Sequence, residues 1–180
     1  MNIESIGIRD LRISDVESVA EIRIKGWQTT YAGQMPDDFL KNLSLERTIA
    51  RWREVLSNPE KDRKAIGAFK DRKLIGYISI GPSRGENEFN YGEIYAIYVE
   101  PDLQGMGIGT RLMSESISHF ISLGYSYATL WVLHSNTAAI GFYEVKGWNF
   151  SGKTKVESLG DFEILEHQYV IQLPSQGQLA

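Results

Sequence analysis

The sequence of 180 residues contains no cysteine. Disulfide bonds, thiolate nucleophiles and zinc sites with cysteine ligands are therefore excluded on covalent grounds. Long hydrophobic runs are also lacking, and the start Met1-Asn2-Ile3-Glu4 carries an acid where a signal peptide would carry basic residues. We therefore expect a soluble, cytoplasmic protein that is neither exported nor inserted into a membrane.

An excess of positive charge is lacking as well, because the formal net charge is −4. Such a chain has no broad basic surface to neutralise nucleic-acid phosphates or anionic lipids, so neither is a predicted partner. Apolar residues make up 42% of the chain and charged residues 23%, as in ordinary globular proteins. The length suits one core, and we predict a single domain over 1–173 with a frayed polar tail over 174–180.

The first part of the chain is predicted to be a strand followed by helices. Residues 7–13 alternate loosely, and Ser14 with Glu17 predicts a capping box at the start of a helix. Steps of three or four place five apolar residues on one face of that helix: Val16, Ala20, Ile24, Trp27 and Tyr31. A second helix is predicted from Ser44 to Leu56.

The remainder of the chain predicts a mixed sheet. Two short strands, 65–70 and 74–80, form a hairpin, and 92–99 reads as a nearly continuous apolar strand in the middle of a sheet. The expected order is then helix 107–123, strand 127–133, helix 137–146, and closing strands 148–155 and 162–172. A strand, a helix and a further strand in sequence imply a parallel pair within an α/β fold with a mixed sheet.

A glycine-rich turn, Gln104 to Thr110, lies directly between the best strand and the best helix. Unpaired backbone N–H groups and the positive end of the helix macrodipole can hold a diphosphate at such a place. Three competing signatures match the sequence less well. A P-loop needs a lysine that is lacking after Gly109, and the dinucleotide fingerprint needs a glycine where Thr110 stands. A serine-hydrolase elbow at 124–128 lacks its last glycine and precedes a strand.

The motif Gln104-x-x-Gly107-x-Gly109 resembles that of the GNAT acetyltransferase superfamily. A strand ending in Glu100-Pro101 precedes it, and residues 136–143, from Asn136 to Tyr143, follow in the family's order and spacing. The similarity is sharp from about 93 to 148. It implies an acyl-CoA N-acyltransferase fold, with a twisted mixed sheet, flanking helices and a parallel strand pair splayed open near Val99 and Leu133. The implied cosubstrate is acetyl-CoA.

The resemblance also implies which residues contact the cosubstrate. The backbone of the central strand is expected to pair with the pantetheine arm, and the glycine turn with the diphosphate. Asn136 is either a further contact or only the cap of its helix. The predicted contacts are Ile97, Tyr98, Val99, Gln104, Gly105, Met106, Gly107, Ile108, Gly109, Thr110, Asn136 and Tyr143.

The catalytic residues implied by the resemblance are Tyr143 and Glu93. An aliphatic amine with a pKa near roughly 10 must lose a proton before it attacks a thioester. Glu93 matches the position of a general base, acting directly or through water, with bulk water as the alternative. Tyr143 matches the acid that donates to the departing thiolate, although it could be only a core aromatic. No acyl-enzyme is implied.

The acceptor is less determined, because the first half of the chain resembles the family only in architecture. Trp27 and Tyr31 are candidate walls of the acceptor pocket or simply core residues. His119, His134 and His167 lack metal-ligand spacing, so no metal is predicted.

We predict N-acetylation of a small-molecule primary amine, such as a polyamine, an amino acid or a drug-like amine. A protein N-terminus or lysine, a non-catalytic acyl-CoA sensor and a nicotinamide enzyme are the alternatives. The oligomeric state stays open, and a homodimer is compatible with the sequence.

Overall fold

A computed structural model describes residues 5–85 and 88–175. The start of the chain, Met1 to Glu4, and most of the predicted tail, 176–180, lie outside the described residues. The strands are β1 Gly7–Asp10, β2 Lys64–Lys70, β3 Lys73–Pro82, β4 Tyr91–Val99, β5 Tyr127–Leu133, β6 Asn149–Leu159 and β7 Phe162–Gln172. The helices are α1 Val16–Thr30, α2 Asp37–Lys41, α3 Leu45–Ser57, α4 Ile108–Ser122 and α5 Thr137–Val145.

The seven strands form one sheet in the order β1-β2-β3-β4-β5-β7-β6. β4 and β5 are parallel, with α4 as the crossover between them, whereas the β1-β2, β2-β3, β5-β7 and β7-β6 pairs are antiparallel. The predicted mixed sheet with a central parallel pair is therefore confirmed. The β4-β5 register runs from Tyr91↔Tyr127 to Ile94↔Leu130, and both strands continue after that position.

By its contacts the chain divides into two units, Met1–Ile80 with Ala96–Ser116 and Gly81–Tyr95 with Ile117–Ala180. The core of the first unit forms where α1 and α3 pack on the hairpin β2-β3. Its buried residues are Leu11, Val16, Val19, Ile22, Trp52, Phe69, Leu74 and Tyr77. The hairpin turns through Asp71 and Arg72, both with positive φ, within the polar segment 71–73 that separates the two predicted strands.

The predicted capping box of Ser14 and Glu17 is wrong. A 3-10 turn, Ile13–Asp15, precedes α1, and the Asp15 carboxylate accepts the backbone N–H of Arg12 at 2.8 Å. The same carboxylate accepts two hydrogen bonds from the Arg9 guanidinium, at 2.7 and 3.0 Å. Because an ionised acceptor bonds more strongly than a hydroxyl, Asp15 and not Ser14 organises this helix start. The Arg9 hydrogen bond holds the pKa of Asp15 below its ordinary value.

The two helices that follow α1 differ in how well the sequence predicts them. α3 begins where predicted, since the Ser44 hydroxyl accepts the backbone N–H of Arg47 at 3.1 Å. The sequence analysis did not predict the short helix α2. In the structure Pro36 is the N-cap of α2, where the lack of an N–H costs nothing.

In the second unit α5 contacts β7, since Tyr169 of β7 donates a hydrogen bond to Glu144 of α5, and the end of α4 lies against β4. Its largest buried side chains include Phe120 and Trp148, and Gly92 on β4 is tightly enclosed by the Phe120 ring, 2.4 Å from where a Cβ would lie. The close approach requires a glycine at this point of the strand. Among the described residues, no helix has both the length and the apolar character needed to cross a bilayer.

Candidate active site

The glycine turn joins a 3-10 turn, Pro101–Leu103, to the N-terminus of α4. Gly105 and Gly107 have φ of +76° and +80°, in the left-handed region where a side chain is strained. Gly109 lies inside the first turn of α4. The positive φ angles therefore explain why glycine occupies two of the three glycine positions in the predicted turn.

The N-terminus of α4 presents unpaired donors. The first i→i−4 bond of the helix runs from the Arg111 N–H to the Gly107 carbonyl oxygen at 3.1 Å. The N–H groups of Ile108, Gly109 and Thr110 come before this bond and therefore have no partner within the helix. The first turn carries no acidic residue. A diphosphate fits this chemistry, because these amides and the helix macrodipole favour a negative charge.

The predicted pantetheine strand is the C-terminal part of β4. Ile97, Tyr98 and Val99 are all half-buried. They follow Ile94, the last residue of β4 that is paired with β5. The Tyr98 side chain packs against the core of the first unit, with its ring 5.5 Å from that of Tyr77.

Trp27 and Tyr31, the candidate acceptor residues, lie together with Tyr98 in the first unit. Trp27 Nε1 donates a hydrogen bond to Tyr98 Oη at 2.6 Å, and its ring meets that of Tyr31 edge to face at 5.2 Å. The Arg23 guanidinium lies 5.0 Å from the centre of the Trp27 ring. α1 is thereby connected to the strand predicted to hold the cosubstrate.

Tyr77, on β3 beside this cluster, was not singled out by the sequence. Its side chain is fully buried, its Oη has no hydrogen-bond partner among the described residues, and burial raises the pKa of the phenol well above its ordinary value. The ring packs edge to face against Trp52 at 5.2 Å. A buried hydroxyl without a hydrogen-bond partner is an exception in folded proteins. The sequence gives no sign of it, because a tyrosine in a strand is an ordinary core residue.

Glu93, the predicted base, is 1% exposed on β4 in the second unit. Its Oε2 accepts the backbone N–H of Arg84 at 2.8 Å, and its Oε1 accepts Nε of Arg84 at 3.0 Å and also Nη2. Arg84 was missed by the sequence analysis. The signal that could have found it is a carboxylate in the middle of a buried strand, which needs a nearby cation.

Asn136 and Tyr143 lie at the start and near the end of α5. The Asn136 side chain accepts the Ala139 N–H at 3.1 Å, so it does cap the helix. Tyr143 is 7% exposed, with its ring 5.4 Å from Phe142 and 6.3 Å from Trp148. Both residues thus have the structural roles weighed against their functional ones.

The second unit also holds a buried carboxylate outside the predicted site. Glu88 accepts hydrogen bonds from Lys153 Nζ at 2.6 Å, Gln168 Nε2 at 3.0 Å and Ser83 Oγ at 2.5 Å. Burial raises the pKa of Glu88, but the hydrogen bonds from Lys153, Ser83 and Gln168 outweigh it and lower the pKa overall. Across the described residues, no three His, Asp or Glu side chains form a group that could hold a metal ion.

A family model described as Acetyltransferase (GNAT) family matches residues 20–148, which include the glycine turn, β4 and α5. The uncharacterized N-acetyltransferase YuaI of Bacillus subtilis is 28% identical over 141 residues, covering 77% of this chain and 78% of that protein. The spermidine N(1)-acetyltransferase of Thermoplasma acidophilum is 28% identical over 169 residues, covering 92% of this chain and 98% of that protein.

A solved structure gives the same fold. The crystal structure of the PaiA N-acetyltransferase of Thermoplasma acidophilum in complex with coenzyme A is 26% identical to this chain and superposes with a TM-score of 0.66. The match covers 91% of this chain and 98% of that one. The likeness extends over the helical first half as well as over the glycine turn.

Proposed function

Because the chain belongs to the GNAT acetyltransferase family, we propose that it transfers the acetyl group of acetyl-CoA to a primary amine of a small molecule. Acetyl transfer from acetyl-CoA follows from the family and from the coenzyme A complex of the similar structure. The proposal adds the class of acceptor: a polyamine, an amino acid or a drug-like amine.

The observation that carries the acceptor class is the similarity to a spermidine acetyltransferase over 92% of this chain. That similarity includes the first half of the chain, from which the Trp27 and Tyr31 cluster comes. The net charge of −4 also attracts cationic amines over anionic ones.

The glycine turn and the end of β4 are the proposed binding elements for acetyl-CoA. We propose that the amides around Gly107 hold the diphosphate, while backbone groups from Ile97 to Val99 pair with the pantetheine arm as an added strand would. Asn136, which caps α5, is proposed to contact the cosubstrate as well. These contacts fix the thioester carbon relative to the chain, which lowers the entropic part of the barrier.

The chemistry is a direct attack. The ammonium of the acceptor loses a proton to Glu93 or to water, the amine nitrogen forms a bond to the carbonyl carbon, and backbone N–H groups of β4 stabilise the oxyanion. The C–S bond then breaks, and Tyr143 donates a proton, fully or in part, to the leaving thiolate. The acceptor nitrogen loses its second proton as the amide forms, and this proton passes to solvent or back to Tyr143. Trp27 and Tyr31 form a wall for the acceptor.

A panel of amines tests the acceptor class. Release of the coenzyme A thiol from acetyl-CoA is measured with spermidine, free amino acids, aromatic amines, and peptides with a free N-terminus or an internal lysine. We expect saturable, amine-dependent release, strongest with a small cationic amine. Release with peptides alone contradicts the proposed acceptor. Saturable binding of acetyl-CoA without release by any amine indicates a sensor and contradicts catalysis.

A further inference from the structure

The loop between β3 and β4 carries a cation directly onto the buried carboxylate of β4. Arg84 contributes its backbone N–H and two of its guanidinium nitrogens to Glu93. The Arg84 side chain is 55% exposed, whereas the Glu93 side chain is 1% exposed. The pair therefore has one solvated end and one end deep in the sheet.

Two further groups orient the guanidinium. It lies over the ring of Tyr95, 4.4 Å from the ring centre, and the Tyr95 hydroxyl donates to the Pro82 carbonyl oxygen at 2.6 Å. The carboxylate of Glu157 on β6 also interacts electrostatically with Arg84. Burial lowers the pKa of Arg84, but its hydrogen bond to Glu93 and the electrostatic effects of Glu93, Tyr95 and Glu157 raise it overall.

A carboxylate as buried as Glu93 is stable in its charged form only with a partner, because desolvation favours the neutral acid. A neutral acid can neither attract an ammonium nor take its proton. Arg84 is the cation that contacts Glu93 in the described part of its unit, and Tyr95 and Glu157 are the other titratable groups that act on Arg84.

We infer that Arg84 is a positioning residue, which holds the carboxylate of Glu93 in a fixed orientation on β4 for proton removal from the acceptor. The inference rests on the proposed function, since it assigns Arg84 a role through Glu93. Loss of the guanidinium should therefore lower kcat, because the base is no longer held in place, more than it raises KM.

The chain offers a matched control in the ion pair of Lys153 with Glu88. Lys153 is 56% exposed and Glu88 is 6% exposed, and their closest atoms are 2.6 Å apart. The same loop carries Glu88 and Arg84. Removing either cation leaves a buried carboxylate unpaired, which destabilises the fold to a similar degree. Only the loss of Arg84 removes the cation from the carboxylate of the proposed base, Glu93.

The first test compares kcat and KM at one pH for the wild type, Arg84→Met, Arg84→Lys and Lys153→Met, with the best amine of the panel. In Arg84→Met we expect kcat to fall at least about tenfold with little change in KM for acetyl-CoA, because the base is no longer held in place. Arg84→Lys should restore part of the lost kcat, and Lys153→Met should leave kcat close to that of the wild type. An unchanged kcat in Arg84→Met, or equal losses in Arg84→Met and Lys153→Met, overturns the inference.

A double-variant comparison separates a role through Glu93 from a purely structural role. If Arg84 acts through Glu93, Arg84→Met should lower kcat little further in a Glu93→Gln background. Fully additive losses of kcat in the double variant contradict the role of Arg84, whereas a wild type that acetylates no amine contradicts the proposed function.

Discussion

Replacement of Tyr143 by phenylalanine is expected to lower kcat about a hundredfold or more, with little change in affinity for acetyl-CoA. The phenol is the proposed donor to the leaving thiolate, an interaction that develops only as the C–S bond breaks. A phenol with a pKa near about 10 is a weaker acid than a thiol near about 8.5, so partial donation in the transition state is enough. Steady-state kinetics and calorimetric titration with coenzyme A measure the two quantities separately.

Tyr169 provides the matched control for this change. It is 5% exposed in the same unit, and its hydroxyl donates to Glu144 on α5 at 3.1 Å. Tyr169→Phe should therefore lower the free energy of unfolding by about 1 kcal/mol and leave kcat close to that of the wild type. Equal losses of kcat in the two variants would show that Tyr143 acts through packing alone, and an unchanged kcat in Tyr143→Phe would remove the assignment.

The second large effect is expected at Gly107, where a carboxylate should abolish most of the affinity for coenzyme A. Gly107→Asp places a negative charge beside the proposed diphosphate site, at the positive end of α4. Repulsion between charges a few Å apart is worth several kcal/mol at a protein surface, so we expect Kd to rise at least a hundredfold. The rise should shrink at high salt, because salt screens exposed charges.

Gly107→Asn separates charge from shape. Asn and Asp have nearly the same size, and both tolerate the left-handed conformation that Gly107 adopts. The Asn variant should therefore bind coenzyme A at least ten times more tightly than the Asp variant. If the two variants bind equally, the negative charge does not meet a phosphate at this turn, and the diphosphate lies elsewhere.

The fold was largely predictable because its signals are local. Ser44 caps α3, and the apolar strand before Pro101 stands in the middle of the sheet, as its composition indicates. The glycine turn could be interpreted because φ values near +80° leave glycine as the ordinary choice. Ser14 misled the prediction, because the competing acceptor, Asp15, gains its strength from Arg9 on the preceding strand.

The residues of the candidate site could be predicted only where they belong to one continuous segment of the chain. The partner of Glu93 comes from nine positions earlier in the chain, across a loop whose Gly and Pro content gives no sign of a bound cation. The bond from Trp27 to Tyr98 joins residues 71 positions apart. Pairings of this kind depend on strand order and helix packing, for which a single sequence gives no local signal.

The most direct measurement compares the calorimetric titration of the wild-type protein with coenzyme A and with pantetheine, which lacks the nucleotide and its diphosphate. If the amides at the N-terminus of α4 hold the diphosphate, coenzyme A binds at least a hundredfold more tightly than pantetheine. Equal affinities, or no binding of coenzyme A by the folded protein, would contradict the account.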